Sequence, residues 1–132
     1  IAAMGGNIGI QSCTTIVRGL ATGDIEHTVV KAVTREIVIG AVVGFTCAIV
    51  SGAFAVFAGA HHPWLVAACV TLSLFLSILI AATVGAVAPA TCRKLGVDPT
   101  IASGPFVTVS LDIVGIGVYF SIAILFLKTF AA

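Results

Sequence analysis

Residues 64–90 read WLVAACVTLSLFLSILIAATVGAVAPA, a run of 27 residues without a charged side chain. An α-helix rises about 1.5 Å per residue and the hydrocarbon core of a bilayer is about 30 Å thick, so roughly 20 such residues cross a membrane. Two more runs of this kind are residues 37–60, which carry no charge, and residues 105–127, whose one charge is Asp112. None shows the alternation of polar and apolar residues that is typical of membrane β-barrel strands. The sequence therefore predicts an all-α integral membrane protein.

Composition supports this class and excludes several others. Of the 132 residues, 60% are hydrophobic and 8% are charged, and the mean hydropathy is +1.26, whereas a soluble domain carries about 25% charged residues. A water-soluble globular domain and a disordered chain are both excluded. The net charge of +1 offers no basic patch for nucleic acid. No pair of nucleophile and base, phosphate-binding loop or cofactor motif is present, so we do not expect an enzyme.

The chain is predicted to form one domain, residues 1–132, embedded in the lipid bilayer as a bundle of four transmembrane helices. The predicted helices are residues 1–20, which are unusually polar for a span, and residues 37–60, 64–90 and 105–127. The sequence opens without an initiator Met, and we expect it to be a piece of a longer protein.

The basic residues predict the orientation of these helices. Five of the six lie in or beside the connections formed by residues 21–36 and 91–104, while the turn at residues 61–63 has none. The positive-inside rule then places residues 21–36 and 91–104 in the cytoplasm, and residues 61–63 and the C-terminus outside. Within the third connection, Gly96 is placed to end a helix, and Asp98-Pro99 to start one.

Asp112 is the most informative single residue. An Asp inside a membrane helix costs about 3 kcal/mol on insertion scales, so it must face a cavity, a partner or a cation. Its helical neighbours Thr108, Gly115 and Tyr119 form a face of small and polar residues. We interpret Asp112 as a site for a cation or a proton. The alternative is an Asp paired with Arg18 or another polar group for packing.

The first helix carries a polar face. Asn7, Gln11, Thr14 and Arg18 follow one another at spacings of four, three and four residues, which places them on one side of a helix. Amide and hydroxyl groups suit a water-filled passage in which an ion keeps its hydration shell. Gly5 and Gly9 have the GxxxG spacing that allows close helix contact. The alternative is that these polar groups only form hydrogen bonds between packed helices.

Two stretches resemble the membrane domain of the MgtE magnesium channel family. One is Gly6-Asn7-Ile8-Gly9-Ile10-Gln11 with the following residues 12–25, and the other runs from Leu95-Gly96-Val97-Asp98-Pro99 to Leu111-Asp112-Ile113-Val114-Gly115. The chain differs at Ile10, where an Asn is common in the family. The resemblance implies a bacterial-type protein of the cell (inner) membrane, active as a homodimer with five helices per chain. The present chain would hold the last four, and cytoplasmic regulatory domains would lie upstream.

The resemblance also implies a function. Family members conduct Mg²⁺, and often Mn²⁺ or Co²⁺, inward down the electrochemical gradient. Asp112 from both chains would hold a hydrated Mg²⁺ ion as metal ligands. The implied pore-lining residues are Gly6, Asn7, Gly9 and Gln11 on the outer path, and Thr14, Thr108 and Gly115 beside the aspartate. Two alternatives remain open: a proton- or sodium-coupled secondary transporter, and a non-transporting membrane assembly module.

Overall fold

The part of the chain that the structure describes consists mainly of four long helices. The computed structural model describes residues 2–25, 27–58, 62–102 and 104–130, and within these ranges it contains no strand. The elements are α1 (Ala2–Thr22), α2 (Val29–Phe57), α3 (Pro63–Lys94), a short 3₁₀ helix (Pro99–Ala102) and α4 (Pro105–Phe130). The predicted all-α class is confirmed. His61, in the predicted outer turn, lies outside the described residues.

Two helices extend beyond the apolar runs that predicted them. α2 begins at Val29 instead of residue 37, and α3 continues to Lys94 instead of stopping at residue 90. With 29 and 32 residues, these helices are about 44 and 48 Å long, longer than the hydrocarbon core of a bilayer. Their charged ends therefore project into the headgroup layer, because hydropathy marks where a helix leaves the hydrocarbon and not where the helix ends.

Among the described residues, three helical segments are long and apolar enough to cross a membrane by length and composition: Val29–Phe57, Pro63–Lys94 and Pro99–Thr129. α1 has 21 residues, about 32 Å, so its length also suffices. α1 differs from these three segments in composition, because one of its faces is polar. In a bilayer such a face requires water, a polar partner or an ion.

α3 forms the centre of the bundle, with buried positions spaced along nearly its whole length. α2 packs against it in an antiparallel direction through a stripe of small residues. An added Cβ at Gly44 would come within 2.9 Å of Ile78, and one at Gly40 or Gly52 would overlap Ala82 or Thr71. Small residues at this spacing let two helix backbones approach closely, which is the main source of packing in a lipid environment.

The connection between α3 and α4 has the local structure that its residues predict. Gly96 has φ +73°, and Val97 N donates to Cys92 O at 2.9 Å, which is the hydrogen bond of a Schellman helix end. Asp98 Oδ1 accepts hydrogen bonds from Thr100 N (2.9 Å) and Thr100 Oγ1 (2.8 Å). Asp98 thus begins the short 3₁₀ helix in the manner of an N-cap residue.

Candidate functional site

Asp112 lies two turns into α4 and points at the backbone of α1. A Cβ added to Gly6 would be 2.8 Å from Asp112 Oδ1 and 3.4 Å from Thr108 Cγ2. Only a residue without a side chain leaves room there for the carboxylate. Gly6 and Asp112, two of the predicted site residues, are therefore direct neighbours across the α1–α4 contact.

The Oδ1 atom of Asp112 is fully enclosed and has no hydrogen-bond partner among the described residues. A buried polar atom without a partner costs about 1–3 kcal/mol, and more when it belongs to a charged group. Arg18 does not supply the partner, because it stands 12 residues after Gly6 on the same helix, about 18 Å along the axis. Asp112 as a whole is only partly buried, so a cation or a donor from outside this chain could approach the residue, although Oδ1 itself is enclosed.

Gly9 brings α1 and α3 into contact at the level of the backbone. A Cβ on Gly9 would overlap Leu111 and would lie 3.2 Å from Ala81 O, while a Cβ on Gly85 would overlap Gly9 O. α1 and α3 run parallel here, since Gly5 faces Ser77 and Gly9 faces Gly85. The close approach predicted from the GxxxG spacing is confirmed. This contact fixes the position of α1 along α3, and thereby places Gly6 next to Asp112.

The neighbours of Asp112 on α4 are engaged in packing. The hydroxyl of Thr108 donates to Gly104 O at 3.1 Å, at the start of its own helix. Gly115 is buried, and its carbonyl accepts a 3.4 Å hydrogen bond from Ser77 Oγ of α3. Ser77 therefore supports α4 one turn beyond Asp112. The sequence did not predict this hydrogen bond between helices. The polar Ser77 within an apolar run was the one feature that could have indicated it.

The polar face of α1 is exposed along its length. Asn7, Gln11, Thr14 and Arg18 are all exposed, which confirms that they share one side of the helix. A cavity of about 580 Å³ lies along the C-terminal half of this face. Its lining residues are Gln11, Thr14, Thr15, Arg18, Gly19, Thr22, Asp24 and Ile25. At its end, Thr22 Oγ1 donates to Asp24 Oδ2 at 2.6 Å. The face has no cover from the described part of the chain.

No group of three or more His, Cys, Asp or Glu side chains that could hold a metal ion occurs among the described residues. A bare ion stripped of its water would need more ligands than Asp112 provides. Within one chain the site can therefore offer a single carboxylate, beside a polar helix face, to a cation that keeps most of its water.

Glu36 is a buried carboxylate that sequence reasoning placed in a polar connection. It is only 7% exposed, and it starts the stripe of small α2 residues that faces α3. Its position at i−4 from Gly40 could have indicated this, because residues four apart share a helix face. Glu36 belongs to the buried face of α2, whereas Asp112 lies on the α1–α4 contact.

Together these features define a multi-pass helical membrane protein with a carboxylate enclosed between two helices and an uncovered polar face beside it. Residues 1–122 match the MgtE family, described as "Divalent cation transporter". The chain belongs to the MgtE family. The family consists of transporters and not of enzymes, so the predictions of family and of a non-enzymatic role are confirmed.

Curated relatives are similar over nearly the whole chain. The chain is 33% identical over 130 residues to "Magnesium transporter MgtE" of Bacillus subtilis. It is 38% identical over 125 residues to the protein of the same name from Thermus thermophilus. These alignments cover 98% and 94% of the chain but only 28% and 27% of the relatives. The chain thus spans less than a third of the length of these relatives.

Proposed function

We propose that this chain forms part of a pathway for divalent cations, with Mg²⁺ as the principal substrate. The observation that carries the proposal is Asp112 Oδ1, which is enclosed between α1 and α4 without a hydrogen-bond partner among the described residues. Ionisable residues inside membrane helices are rare, and they typically mark ion or substrate pathways, proton relays or other functional sites. The relatives named as magnesium transporters support the same substrate class.

The proposed substrate is a hydrated ion. Mg²⁺ gives up its water reluctantly and contacts proteins through one or two carboxylates. In the proposed homodimer, the exposed polar face of α1 meets its counterpart, and two copies of Asp112 face the pathway. Coulomb attraction to a carboxylate is twice as large for a divalent as for a monovalent ion at the same distance. This difference favours Mg²⁺, and also Mn²⁺ or Co²⁺, over K⁺ and Na⁺.

The wall of the proposed pathway combines backbone and side-chain groups. Gly6 and Gly9 leave room for the carboxylate and for close helix packing, while Asn7 and Gln11 present amide groups to the outer path. Thr14 follows on the same face, and Thr108 and Gly115 flank Asp112 on α4. In the proposed orientation, residues 21–36 and 91–104 are cytoplasmic, and the ion enters the cell through the inner membrane from the side of residues 61–63.

Uptake of Mg²⁺ into proteoliposomes that contain the full-length protein tests the proposal through Asp112→Asn. Two unit charges 4 Å apart interact by about 4 kcal/mol at an effective dielectric constant of 20, so loss of the charge should lower uptake more than about tenfold. Asp98→Asn is the matched control, because it removes the same charge from an exposed residue of the α3–α4 connection. Its uptake should equal that of the original protein.

Other outcomes would favour the alternatives. Undiminished uptake by Asp112→Asn would contradict the proposal. Loss of dimers with no ion-specific defect, measured by crosslinking, would favour an assembly module. Uptake that follows an imposed pH or Na⁺ gradient, and not voltage and the Mg²⁺ gradient alone, would favour a coupled transporter.

A further inference from the structure

A second cavity lies between the start of α2 and the end of α3, away from Asp112. Its volume is about 620 Å³, and its lining residues are His27, Thr28, Val29, Val30, Lys31, Ala90, Arg93 and Lys94. We refer to it as the basic cavity, because four of the eight lining residues are basic and none of the eight is acidic. The basic residues come from both helices, so the packing of α2 on α3 assembles them.

The basic cavity lies at the depth of lipid headgroups. Trp64 near the start of α3 is 76% exposed, as expected for an aromatic anchor in a headgroup layer. Arg93 follows 29 residues later on the same helix, about 44 Å along the axis. A bilayer including its headgroups is about 40–45 Å thick. With Trp64 in one headgroup layer, Arg93 and Lys94 therefore reach the opposite one.

On the side of the basic cavity that faces the membrane centre, both helices carry exposed apolar residues. Val38, two helical turns after Lys31 on α2, is 57% exposed, and Val87, two turns before Lys94 on α3, is 42% exposed. Both residues lie closer to the membrane centre than the two lysines, where they contact lipid acyl chains, while the Lys and Arg side chains extend toward the headgroups. A free phosphate ion would use only the charges, whereas a lipid uses both parts of the surface.

We propose that the basic cavity binds the phosphate-bearing headgroup of an anionic lipid, whose acyl chains lie along the exposed apolar residues. Lys31 and Lys94 contribute a charge from each helix, and basic pockets between membrane helices bind anionic headgroups in this way. The lipid thereby bridges α2 and α3 at their charged ends. This site is independent of the proposed ion pathway, because it shares no lining residue with the cavity beside α1.

Native mass spectrometry of the full-length protein in detergent, titrated with dioleoyl phosphatidylglycerol, tests the site. The test variant is Lys31→Gln/Lys94→Gln. The matched control is Arg18→Gln/Lys128→Gln, which removes the same charge from the cavity beside α1 and from the end of α4. About a factor of five per basic residue near a membrane surface predicts roughly 30-fold weaker binding by the test variant and no change in the control.

Several results would overturn the proposal. Equal weakening by both double variants would show general charge attraction without a site. Binding of dioleoyl phosphatidylcholine as tightly as phosphatidylglycerol would show that the headgroup charge is not recognised. Displacement of the lipid by millimolar inorganic phosphate would assign the site to a free anion. If the double test variant does not fold, the single variants Lys94→Gln and Lys128→Gln replace the two double variants. Lys94→Gln should weaken lipid binding about fivefold, and Lys128→Gln should leave it unchanged.

Discussion

The contact between Gly6 and Asp112 can be tested by adding a single carbon atom. In Gly6→Ala, the new Cβ would stand 2.8 Å from Asp112 Oδ1, whereas ordinary contacts begin at 3.4 Å. The carboxylate must then move by about half an ångström or more, or α1 must shift. Overpacking of this kind costs about 1–3 kcal/mol. Gly117→Ala is the matched control, because nothing lies within 4 Å of a Cβ added there.

The two variants share one favourable effect, which makes their difference informative. Replacing Gly by Ala inside a helix stabilises it by about 0.8–1.0 kcal/mol. Gly117→Ala should show that gain alone. Gly6→Ala should be less stable than Gly117→Ala by about 1–3 kcal/mol. The free energy of unfolding in mixed detergent micelles measures this difference, and Mg²⁺ uptake shows whether the displaced carboxylate also impairs transport.

A double-mutant cycle isolates the contact with the carboxylate. In an Asp112→Ala background the atom that Gly6→Ala would meet is absent, so its destabilising effect should shrink. Neighbouring residues of this kind show coupling energies of about 0.5–3 kcal/mol. Strict additivity of the two substitutions would refute the assignment of Oδ1 to the space beside Gly6.

Two further predictions concern packing and pH. Gly85→Ala should destabilise the protein more than Gly6→Ala, because its Cβ would overlap the backbone oxygen of Gly9, which cannot yield as a side chain can. The same unfolding measurement would contradict this if Gly85→Ala proved harmless. The hydrogen bonds from Thr100 N and its hydroxyl hold the pKa of Asp98 below its ordinary value. The capped conformation should therefore persist above the ordinary pKa and be lost as the pH falls through the lowered one, and an NMR titration should show the pKa of Asp98 rise in Thr100→Val.

The sequence predicted the helices well because burial in lipid leaves a strong signal in composition. The long uncharged runs located α2, α3 and α4, and Gly96 located the end of α3. The true start of α2 was hidden, since the charged residues before residue 37 belong to a helix that continues through the headgroup layer. Hydropathy reports the solvent around a residue, and a helix crosses from one solvent to the other without ending.

The candidate site was only partly predictable. A lone Asp112 in an apolar run is conspicuous for its cost, and the spacing of Asn7, Gln11 and Thr14 defines a face without any knowledge of the fold. The pairing of the helices could not be predicted in the same way, because small residues that permit close contact occur on all four helices. The approach of Gly6 to Asp112 and the hydrogen bond from Ser77 to Gly115 depend on that pairing, and so the sequence alone did not indicate them.

The location of a bound ion tests the central claim most directly. Mn²⁺ is a paramagnetic stand-in for Mg²⁺, and it broadens NMR signals most strongly for nuclei close to it. In the full-length protein, Mn²⁺ should broaden the Gly6 amide signal well before that of the indole of Trp64, the single Trp in this chain. Excess Mg²⁺ and the Asp112→Asn substitution should each abolish this effect. Equal broadening of both signals, or broadening of Gly6 that persists in Asp112→Asn, would contradict an ion pathway at Asp112.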